Sequence, residues 1–384
     1  MIVHSFGWTI WMFAAVTGYW LTPSWFGRFW LIALTIGFLM IVSMESAAIL
    51  CGFSLGTYFL AQSRGKLGPK LLLAGAGVMG LFIWYKLRVA ADLSSGLTSL
   101  AIPLGLSYYA LRCIHYIIER YKDNLPPHDF VDFVCYLFFL PTLIAGPIHR
   151  FAEFQRDSRR LRWDTEKFSE GLERILYGYV KITFVANFLV HSRLGLYIAH
   201  LPPESAQLAA YLTMVQKGLN GYLLFSGYSD IAVGFALLLG YRVMENFRWP
   251  LLKPNISEFW KSWHISLSSW CRDYVYMLVV SFTRRPAIGV LAAMLAIGLW
   301  HEISHRYILW GIYNGLGIIA WQQFQTLKRR LLPIATPDLP WARISLHALS
   351  VLLTFHFVMA GFVIVQQPTL ADTIVFFQKL LGWS

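Results

Sequence analysis

The chain has 384 residues, of which 57% are hydrophobic and 14% charged, with 16 Trp, 19 Tyr and a net charge of +12. Soluble proteins carry about a quarter of charged residues, so the composition excludes an ordinary soluble domain and indicates a polytopic membrane protein. The basic residues fall in short groups between apolar runs, as at 284–285 and 328–330. This pattern is typical of topogenic charge. Membrane lipids are therefore expected partners, and nucleic acid is not.

Apolar stretches long enough to cross, or nearly cross, about 30 Å of hydrocarbon recur along the whole chain. They are Gly7–Leu21, Trp30–Met44, Ala47–Ala61, Leu71–Tyr85, Leu97–Ile118, Phe130–Ile148, Ile175–Ile198, Leu208–Leu239, Val275–Phe282, Ala287–Trp300, Tyr307–Phe324 and Ile344–Val365. Gly and Pro interrupt two of them, at Pro103–Ser107 and Phe139–Pro147. Broken backbone at membrane depth is tolerated only where it is buried in protein or lines a cavity. The sequence thus predicts an all-α fold of about ten to twelve membrane segments, some re-entrant or interfacial, around a central tunnel.

Nothing in the sequence divides the chain into separate domains. No internal repeat or additional soluble region is visible, so residues 1–384 are expected to form a single integral-membrane domain. The first apolar stretch lacks a charged n-region and a small-residue cleavage site, which favours a retained helix over a signal peptide. The four cysteines lie singly, without a CxxC pair, so neither a disulfide framework nor a metal site is predicted.

The most polar stretch, His149–Arg174, interleaves basic and acidic side chains. The positive-inside rule predicts that it faces the cytoplasm. We interpret it first as a solvated loop and helix start along the membrane. The alternative is a cytosolic docking surface for an anionic partner or cofactor, with Arg156, Arg159 and Arg160 among its basic side chains.

The segment Pro254–Tyr274 is predicted to be one amphipathic helix in the membrane interface. Asn255 and Glu258 have the spacing of a capping box, and apolar side chains follow at i, i+3, i+4 and i+7. That face consists of Trp260, Trp263, His264, Leu267, Trp270, Cys271 and Tyr274. A histidine on such a face is more often a hydrogen-bonded structural residue. The preceding loop, however, delivers Asn246 to the same neighbourhood, so a functional role for His264 stays open.

His301 ends the apolar run Ala287–Trp300. An imidazole at membrane depth is costly to keep, so it marks a proton-handling or ligand site by default. The sharper hypothesis is a general base that takes a proton from an attacking hydroxyl. A packed core histidine is the alternative. Haem ligation by His264 and His301 is disfavoured, because no CxxCH motif or regular histidine pairing accompanies them.

Asp230 lies in an otherwise apolar helical run, Asn220–Asp230, that also carries small polar residues. Such small residues allow helices to approach closely. Asp230 is interpreted first as a residue that holds this packing by hydrogen bonds. The alternative is that it orients a catalytic group.

Several motifs together resemble the membrane-bound O-acyltransferases. The residues that carry the resemblance are Trp260–Tyr276, Gly298–His301, Phe139–Arg150, Phe225–Asp230 and Glu245–Pro250. Together they resemble the bacterial branch, and in particular the membrane subunit of alginate O-acetylation, over roughly residues 45–325. Beyond that range, Leu353–Phe362 looks more like the teichoic-acid D-alanyl transfer protein of the same family. Glu302 stands where glycine is frequent and Asn314 where alginate-type members often have a second histidine, so the acyl group and the acceptor are not defined.

The resemblance implies that His301 is the catalytic residue and that His264 lies towards a cytosolic donor entrance. Other motif residues are then expected to line the donor or acceptor tunnel or to support the histidines. They are Asp230, Asn246, Trp260, Trp263, Ser268, Arg272, Asp273, Trp300 and Glu302. Direct transfer is favoured over an acyl-enzyme, because no Ser or Cys lies in a nucleophile-like motif; Cys271 is the only nearby thiol.

We therefore expect a multi-pass O-acyltransferase of the inner (plasma) membrane. It moves a short acyl group from acetyl-CoA or an acyl-carrier protein to a hydroxyl of a cell-envelope or exported glycan, or of an extracytoplasmic partner protein. The thioester is a co-substrate, and no bound cofactor is expected. Two non-catalytic alternatives remain: a transporter or flippase, which would favour internal repeats with paired broken helices, and a membrane scaffold for an envelope-modifying complex.

Overall fold

The computed structural model describes residues 5–23, 25–62, 67–95, 104–331 and 340–383. Within these ranges the chain forms helices and no strand longer than the isolated β-bridge between Phe247 and Trp263. The predicted all-α fold is confirmed. The predicted break at Pro103–Ser107 lies partly outside the described residues, since Pro103 is not among them.

Among the residues that the structure describes, five helical spans are long and apolar enough to cross a membrane. They are Met44–Gln62, Gly68–Arg88, Thr165–Ala199, Pro203–Leu238 and Pro340–Gln366. Gly27–Val42 and Pro286–His301 are shorter apolar helices. The described parts of the other predicted stretches contain helices that are shorter or more polar, so the count of about ten to twelve segments and the central tunnel stay predictions.

The chain divides into two compact units, residues 1–180 with 225–245 (unit 1) and residues 181–224 with 246–384 (unit 2). The single membrane domain expected over residues 1–384 stays a prediction. Unit 1 contains the helices α1 (Phe6–Leu21), α2 (Gly27–Val42), α3 (Met44–Gln62), α4 (Leu67–Ser95), α5 (Leu106–Tyr121), α6 (Phe130–Leu137), α7 (Phe151–Arg159) and α8 (Thr165–Tyr179).

Unit 2 follows α8 through a π-helical stretch, Val180–Arg193. Its helices are α9 (Leu194–Ala199), α10 (Ala206–Leu238, of which residues 225–238 belong to unit 1), α11 (Ile256–Ser262), α12 (Ile265–Cys271), α13 (Met277–Thr283), α14 (Pro286–His301), α15 (His305–Leu331), α16 (Pro340–Gln366) and α17 (Leu370–Leu381). Polar caps define several helix starts: Asn255 accepts from the Glu258 N–H at 2.9 Å, and Thr369 and Asp372 form a capping box. The predicted Asn255 cap is thus confirmed.

The predicted break at Phe139–Pro147 is confirmed within unit 1. Helix α6 ends at Leu137, one 3₁₀ turn follows at Leu140–Thr142, and α7 begins only at Phe151. Arg112 of α5 is fully buried and donates to the Thr142 carbonyl, to Thr142 Oγ1 at 2.7 Å and to the Tyr136 carbonyl at 3.4 Å. These bonds satisfy carbonyl groups that the interrupted helix leaves without helical partners.

Candidate active site

The hairpin of α14 and α15 places His301 at a helix end in unit 2. His301 is the last residue of α14, Glu302 is extended, and α15 begins at His305. A Cβ on Gly298 would collide with the Tyr307 carbonyl, and a Cβ on Gly311 would lie 2.9 Å from the Met294 carbonyl. The two glycines therefore let the helix backbones approach closely, which sets the position of His301.

Aromatic rings surround the half-buried His301 side chain. Tyr307 stacks on it with ring centroids 5.6 Å apart and an interplanar angle of 20°. Trp310 approaches edge-on at 6.1 Å, and the neighbouring Trp300 lies at 4.8 Å. Electron-rich ring faces favour a cation nearby, so this environment suits an imidazole that becomes an imidazolium when it accepts a proton.

The predicted continuous helix over Pro254–Tyr274 is wrong. Helix α11 ends at Ser262, Trp263 is extended, and His264 adopts a left-handed conformation with φ 43° and ψ 53° before α12 begins. A π-helical turn, Arg272–Tyr276, then follows α12. A non-glycine residue in the left-handed region costs about 1–3 kcal/mol, and such strain clusters at functional sites.

Backbone pairing with residues 246–248 explains the interruption. The Arg248 N–H donates to the Ser262 carbonyl at 3.0 Å, and the Ile265 N–H donates to the Asn246 carbonyl at 2.9 Å. These bonds engage the backbone on both sides of His264, so a continuous helical ladder is replaced by the bridge between Phe247 and Trp263. The i, i+4 pattern reports which side chains share a face, but it does not report such nonlocal bonds.

The two histidines lie next to each other. The His264 and His301 ring centroids are 6.4 Å apart, and Trp300 packs on His264 at 5.6 Å. His264 is only 1% exposed, whereas His301 is half-buried. Burial, and then the neighbouring His301, lower the pKa of His264 well below its usual value, so His264 is neutral at physiological pH.

Asn246 and Trp260 support this pair of histidines. The fully buried Asn246 accepts a hydrogen bond at 2.6 Å from the hydroxyl of Ser266, in the first turn of α12. Trp260 donates through its indole N–H to Asn314 Oδ1 at 3.2 Å, and Asn314 Nδ2 donates to the Trp310 carbonyl at 2.9 Å. Asn314 therefore ties α11 to α15, and Trp260 packs edge-on against Trp310, which in turn contacts His301.

Trp263 belongs to an aromatic cluster behind the break. It stacks on Phe259 with centroids 5.4 Å apart and lies 5.1 Å from Phe247, 5.7 Å from Tyr222 and 5.4 Å from Phe362. These contacts anchor Trp263, which is the extended residue directly before His264. Aromatic packing of this kind contributes about 0.5–1.5 kcal/mol per pair beyond burial.

The remaining predicted residues of unit 2 make other polar contacts. Arg272 and Asp273 pair with each other at 2.8 Å on the surface, and Glu302 pairs with Arg306 at 3.1 Å. Ser268 donates to the Trp263 carbonyl at 2.9 Å.

Asp230 lies in unit 1, where it forms an ion pair with Arg174 at 2.7 Å; Arg174 also binds Glu245 through both terminal nitrogens, at 2.9 and 2.7 Å. These contacts agree with the packing interpretation of Asp230.

A cavity of about 430 Å³ adjoins the break on the side of α12, α14 and α15. Its walls are mainly apolar, including Ile265, Met294 and Ile297, and its polar lining includes Lys261 and Arg272. Trp260 also lines the cavity and is 7% exposed. The cavity is large enough for a slender chain that carries a polar end.

Sequence reasoning missed the ring contacts of Tyr307 and Trp310 with His301 and the bond between Ser266 and Asn246. The only indication in the sequence was that both aromatic residues fall in the first turns of the helix that follows His301.

Within the residues that the structure describes, no group of three His, Cys, Asp or Glu side chains converges in a way that would hold a metal ion.

Comparison with known proteins adds a family match. The family model described as MBOAT, membrane-bound O-acyltransferase family, matches residues 79–357. That range contains His264, His301 and every other predicted site residue.

Individual relatives agree with the family match. The chain is 34% identical to a probable alginate O-acetylase of Pseudomonas aeruginosa over 71% of its own length and 50% of the relative's. It is 29% identical to a teichoic acid D-alanyltransferase of Bacillus subtilis, over 68% of each chain. It is 22% identical to a peptidoglycan O-acetyltransferase of Helicobacter pylori, over 93% of this chain and 74% of that one. The chain thus spans only about half the length of the alginate relative.

Proposed function

The chain belongs to the membrane-bound O-acyltransferase family, and on that premise we propose that it is an O-acyltransferase of the inner (plasma) membrane. It transfers a short acyl group from a cytosolic thioester to a hydroxyl of a cell-envelope or exported glycan, or of a partner protein outside the cytoplasm. The observation that carries the proposal is the pair His264 and His301, with rings 6.4 Å apart inside an aromatic surround.

His301 is the general base of the proposed reaction. Unlike His264, it is only half-buried, so an acceptor hydroxyl has access to its ring. Tyr307, stacked at 5.6 Å, restricts the ring orientation, and the edge-on Trp310 limits access from another direction. A base held in a fixed orientation gives more catalysis than a mobile one, because less rotational freedom is lost in the transition state.

The proton path is direct. His301 accepts the hydroxyl proton as the hydroxyl oxygen attacks the thioester carbonyl carbon. The tetrahedral centre then collapses, the C–S bond breaks, and the imidazolium returns its proton to the leaving thiolate. The products are an ester and a free thiol, and no acyl-enzyme is required.

His264 positions the donor. Its burial keeps the ring neutral, so it interacts with the donor as a hydrogen-bonding group rather than as a cation. The cavity next to α12, with Lys261 and Arg272 in its lining, provides room for the thioester arm of acetyl-CoA or of an acyl-carrier protein. Both donor classes are acidic, which suits this cationic lining.

The basic residues of α7 provide a second candidate contact for the donor. Arg156, Arg159 and Arg160 are exposed at the end of that helix. Arg156 pairs with Asp157 at 3.2 Å, and Arg159 donates to the Pro127 carbonyl. An acidic donor would compete for these exposed guanidinium groups, which remain accessible at the surface.

The test is thioester consumption by purified protein in detergent, with labelled acetyl-CoA and an acyl-carrier protein offered in parallel. His301→Ala and His301→Gln should lower kcat by about 10²–10⁴-fold, the usual contribution of a general base. Their unfolding transitions should stay close to that of the wild type. A folded His301→Ala protein with wild-type turnover would exclude the base role and favour a scaffold.

Charge reversal addresses the α7 contact in the same assay. Arg156→Glu, Arg159→Glu and Arg160→Glu together should raise the donor KM and leave kcat near the wild-type value, because these residues lie outside the histidine site. The matched control reverses Lys328, Arg329 and Arg330, an equally exposed basic group at the end of α15. Equal KM values in both triple variants would remove α7 from the donor path.

A further inference from the structure

A second pair of proton-handling side chains lies in unit 2, outside the site built on His264 and His301. The Tyr211 hydroxyl of α10 lies 3.0 Å from His356 Nε2 of α16, and the two rings are nearly parallel, with centroids 5.8 Å apart. On its other side, His356 Nδ1 lies 2.7 Å from the Leu352 carbonyl. These three groups form a hydrogen-bonded chain: the Tyr211 hydroxyl, the His356 imidazole and the Leu352 carbonyl oxygen that orients the imidazole.

The Leu352 carbonyl determines which atom carries the imidazole proton. A carbonyl oxygen only accepts, so His356 Nδ1 carries the hydrogen of this bond. In the neutral ring, Nε2 is then an acceptor, and the Tyr211 hydroxyl donates to it. The Tyr211 oxygen therefore has its own hydrogen directed at a base, and its lone pairs stay available to attack another group. A nucleophile next to an oriented base is the arrangement that activates hydroxyl groups.

An open cavity of about 520 Å³ gives small molecules access to this pair. Tyr211 and His356 both line it, together with Gln207, Leu208, Met214, Ala360 and Leu380. Helix α17 contributes Leu380, so three helices of unit 2 bound the space. A hydrogen bond that served only to join two helices would not require a cavity of this size beside it.

We propose that Tyr211 is an acyl-accepting nucleophile and that His356 is its base. The Tyr211 oxygen attacks the carbonyl carbon of an activated ester or thioester, and its proton passes to His356 Nε2. The bond from the carbonyl carbon to the leaving oxygen or sulfur breaks, and that atom takes the proton back from the imidazolium. The products are an acyl-tyrosine and an alcohol or thiol.

The chemistry of the product indicates what this site does. A phenol has a pKa of about 10, far below that of an alkyl alcohol, so a tyrosyl ester remains a better acyl donor than an ordinary alkyl ester. The acyl group on Tyr211 would stay transferable to a sugar hydroxyl. The site is thus an acyl-holding position, separate from His301.

The test uses p-nitrophenyl acetate as the probe on the full chain in detergent, with the acetylated residues identified by peptide mass spectrometry over time. Tyr197 is the internal control, because it is 56% exposed and belongs to the same unit. Tyr211 should be acetylated at least about 100-fold faster than Tyr197, the lower end of general-base effects. This comparison within one wild-type sample does not depend on any variant.

Variants then assign the roles. Tyr211→Phe should abolish the fast acetylation, and His356→Gln, which preserves a hydrogen-bond acceptor but not a base, should slow it at least about 100-fold. His301→Ala should leave it unchanged, so a failure of the function proposed for His301 is distinguishable from a failure here. Acetylation of Tyr211 no faster than of Tyr197, or equally fast in a folded His356→Gln protein, would overturn the proposal.

Discussion

Residues 138–150 in unit 1 and residues 263–264 in unit 2 both interrupt helices, and both segments contain a buried histidine. His149 is 2% exposed and His264 is 1% exposed. Around His149 the contacts are structural: Thr142 Oγ1 lies 3.2 Å from its Nδ1, Tyr136 donates to its carbonyl at 2.9 Å, and Phe154 stacks on its ring at 5.2 Å. Around His264 the ring contacts include Trp300 and a second histidine, His301.

The difference teaches how to interpret a buried histidine at a helix break. In unit 1 the break is held by Arg112, whose guanidinium donates to carbonyl and hydroxyl oxygens of the broken segment. The histidine there fills space between bonded groups. In unit 2 the break brings one imidazole to another that is half-buried and accessible. Burial alone therefore does not distinguish the two histidines; the difference is the half-buried imidazole of His301 next to His264.

The same substitution in the two segments gives the sharpest comparison. His149→Ala should lower the free energy of unfolding by about 3 kcal/mol, because a buried ring that packs on Phe154 is lost. Its activity per folded molecule should not change. His264→Ala should instead lower kcat/KM for the donor by about 10–100-fold, less than the loss expected for His301→Ala.

Unfolding curves and donor kinetics on the same preparations measure both quantities. Activity loss in a fully folded His149→Ala protein would show that the two breaks do not differ as described. An unchanged kcat/KM for the donor in His264→Ala would contradict the comparison in the same way.

Removal of one hydroxyl tests how the unit 1 break is held. Thr142→Val keeps the side-chain shape but removes the oxygen that accepts from Arg112 at 2.7 Å. A buried guanidinium then loses an acceptor, which should lower the free energy of unfolding by about 2 kcal/mol. Ser266→Ala, the matched change at the unit 2 break, removes a neutral hydrogen bond to Asn246 and should cost about 1 kcal/mol. The reverse order of the two losses would contradict the role given to Arg112.

Much of this architecture could be predicted from local sequence. The apolar runs predicted the helices, Asn255 predicted the start of α11, and Pro141, Gly146 and Pro147 predicted the unit 1 break. Each of these features depends on residues close together in the chain. The position of His301 at a helix end follows for the same reason, because its apolar run stops there.

The rest depends on contacts between distant residues. The left-handed conformation of His264 is imposed by backbone hydrogen bonds to residues 246–248. The periodicity of apolar residues in the sequence does not reveal such bonds. Likewise, the pairing of Tyr211 with His356 joins helices far apart in sequence. Hydrophobic patterns locate elements and faces, whereas the partners of polar side chains are fixed by tertiary structure.

The smallest expected effect is a loss of stability in mild acid that both breaks share. Burial lowers the pKa of His149 and of His264 well below the usual 6.5, with Arg112 adding to the effect at His149 and His301 at His264. Below about pH 6.5 the unfolded chain binds protons at these positions and the folded chain does not. Their contribution to the free energy of unfolding is therefore complete above the unfolded pKa and is lost as the pH falls, by about 1 kcal/mol per histidine near pH 5.5.

Unfolding in detergent at pH 7.5 and pH 5.5 should show this loss of stability in the wild type and a smaller loss in His149→Ala and His264→Ala. Equal reductions in the two variants would mean that burial sets the protonation of both histidines, and that the two breaks differ only in what the neutral ring faces. An unreduced loss in His264→Ala would mean that His264 binds a proton as readily in the folded chain as in the unfolded chain, and the argument that burial keeps its ring neutral would fail.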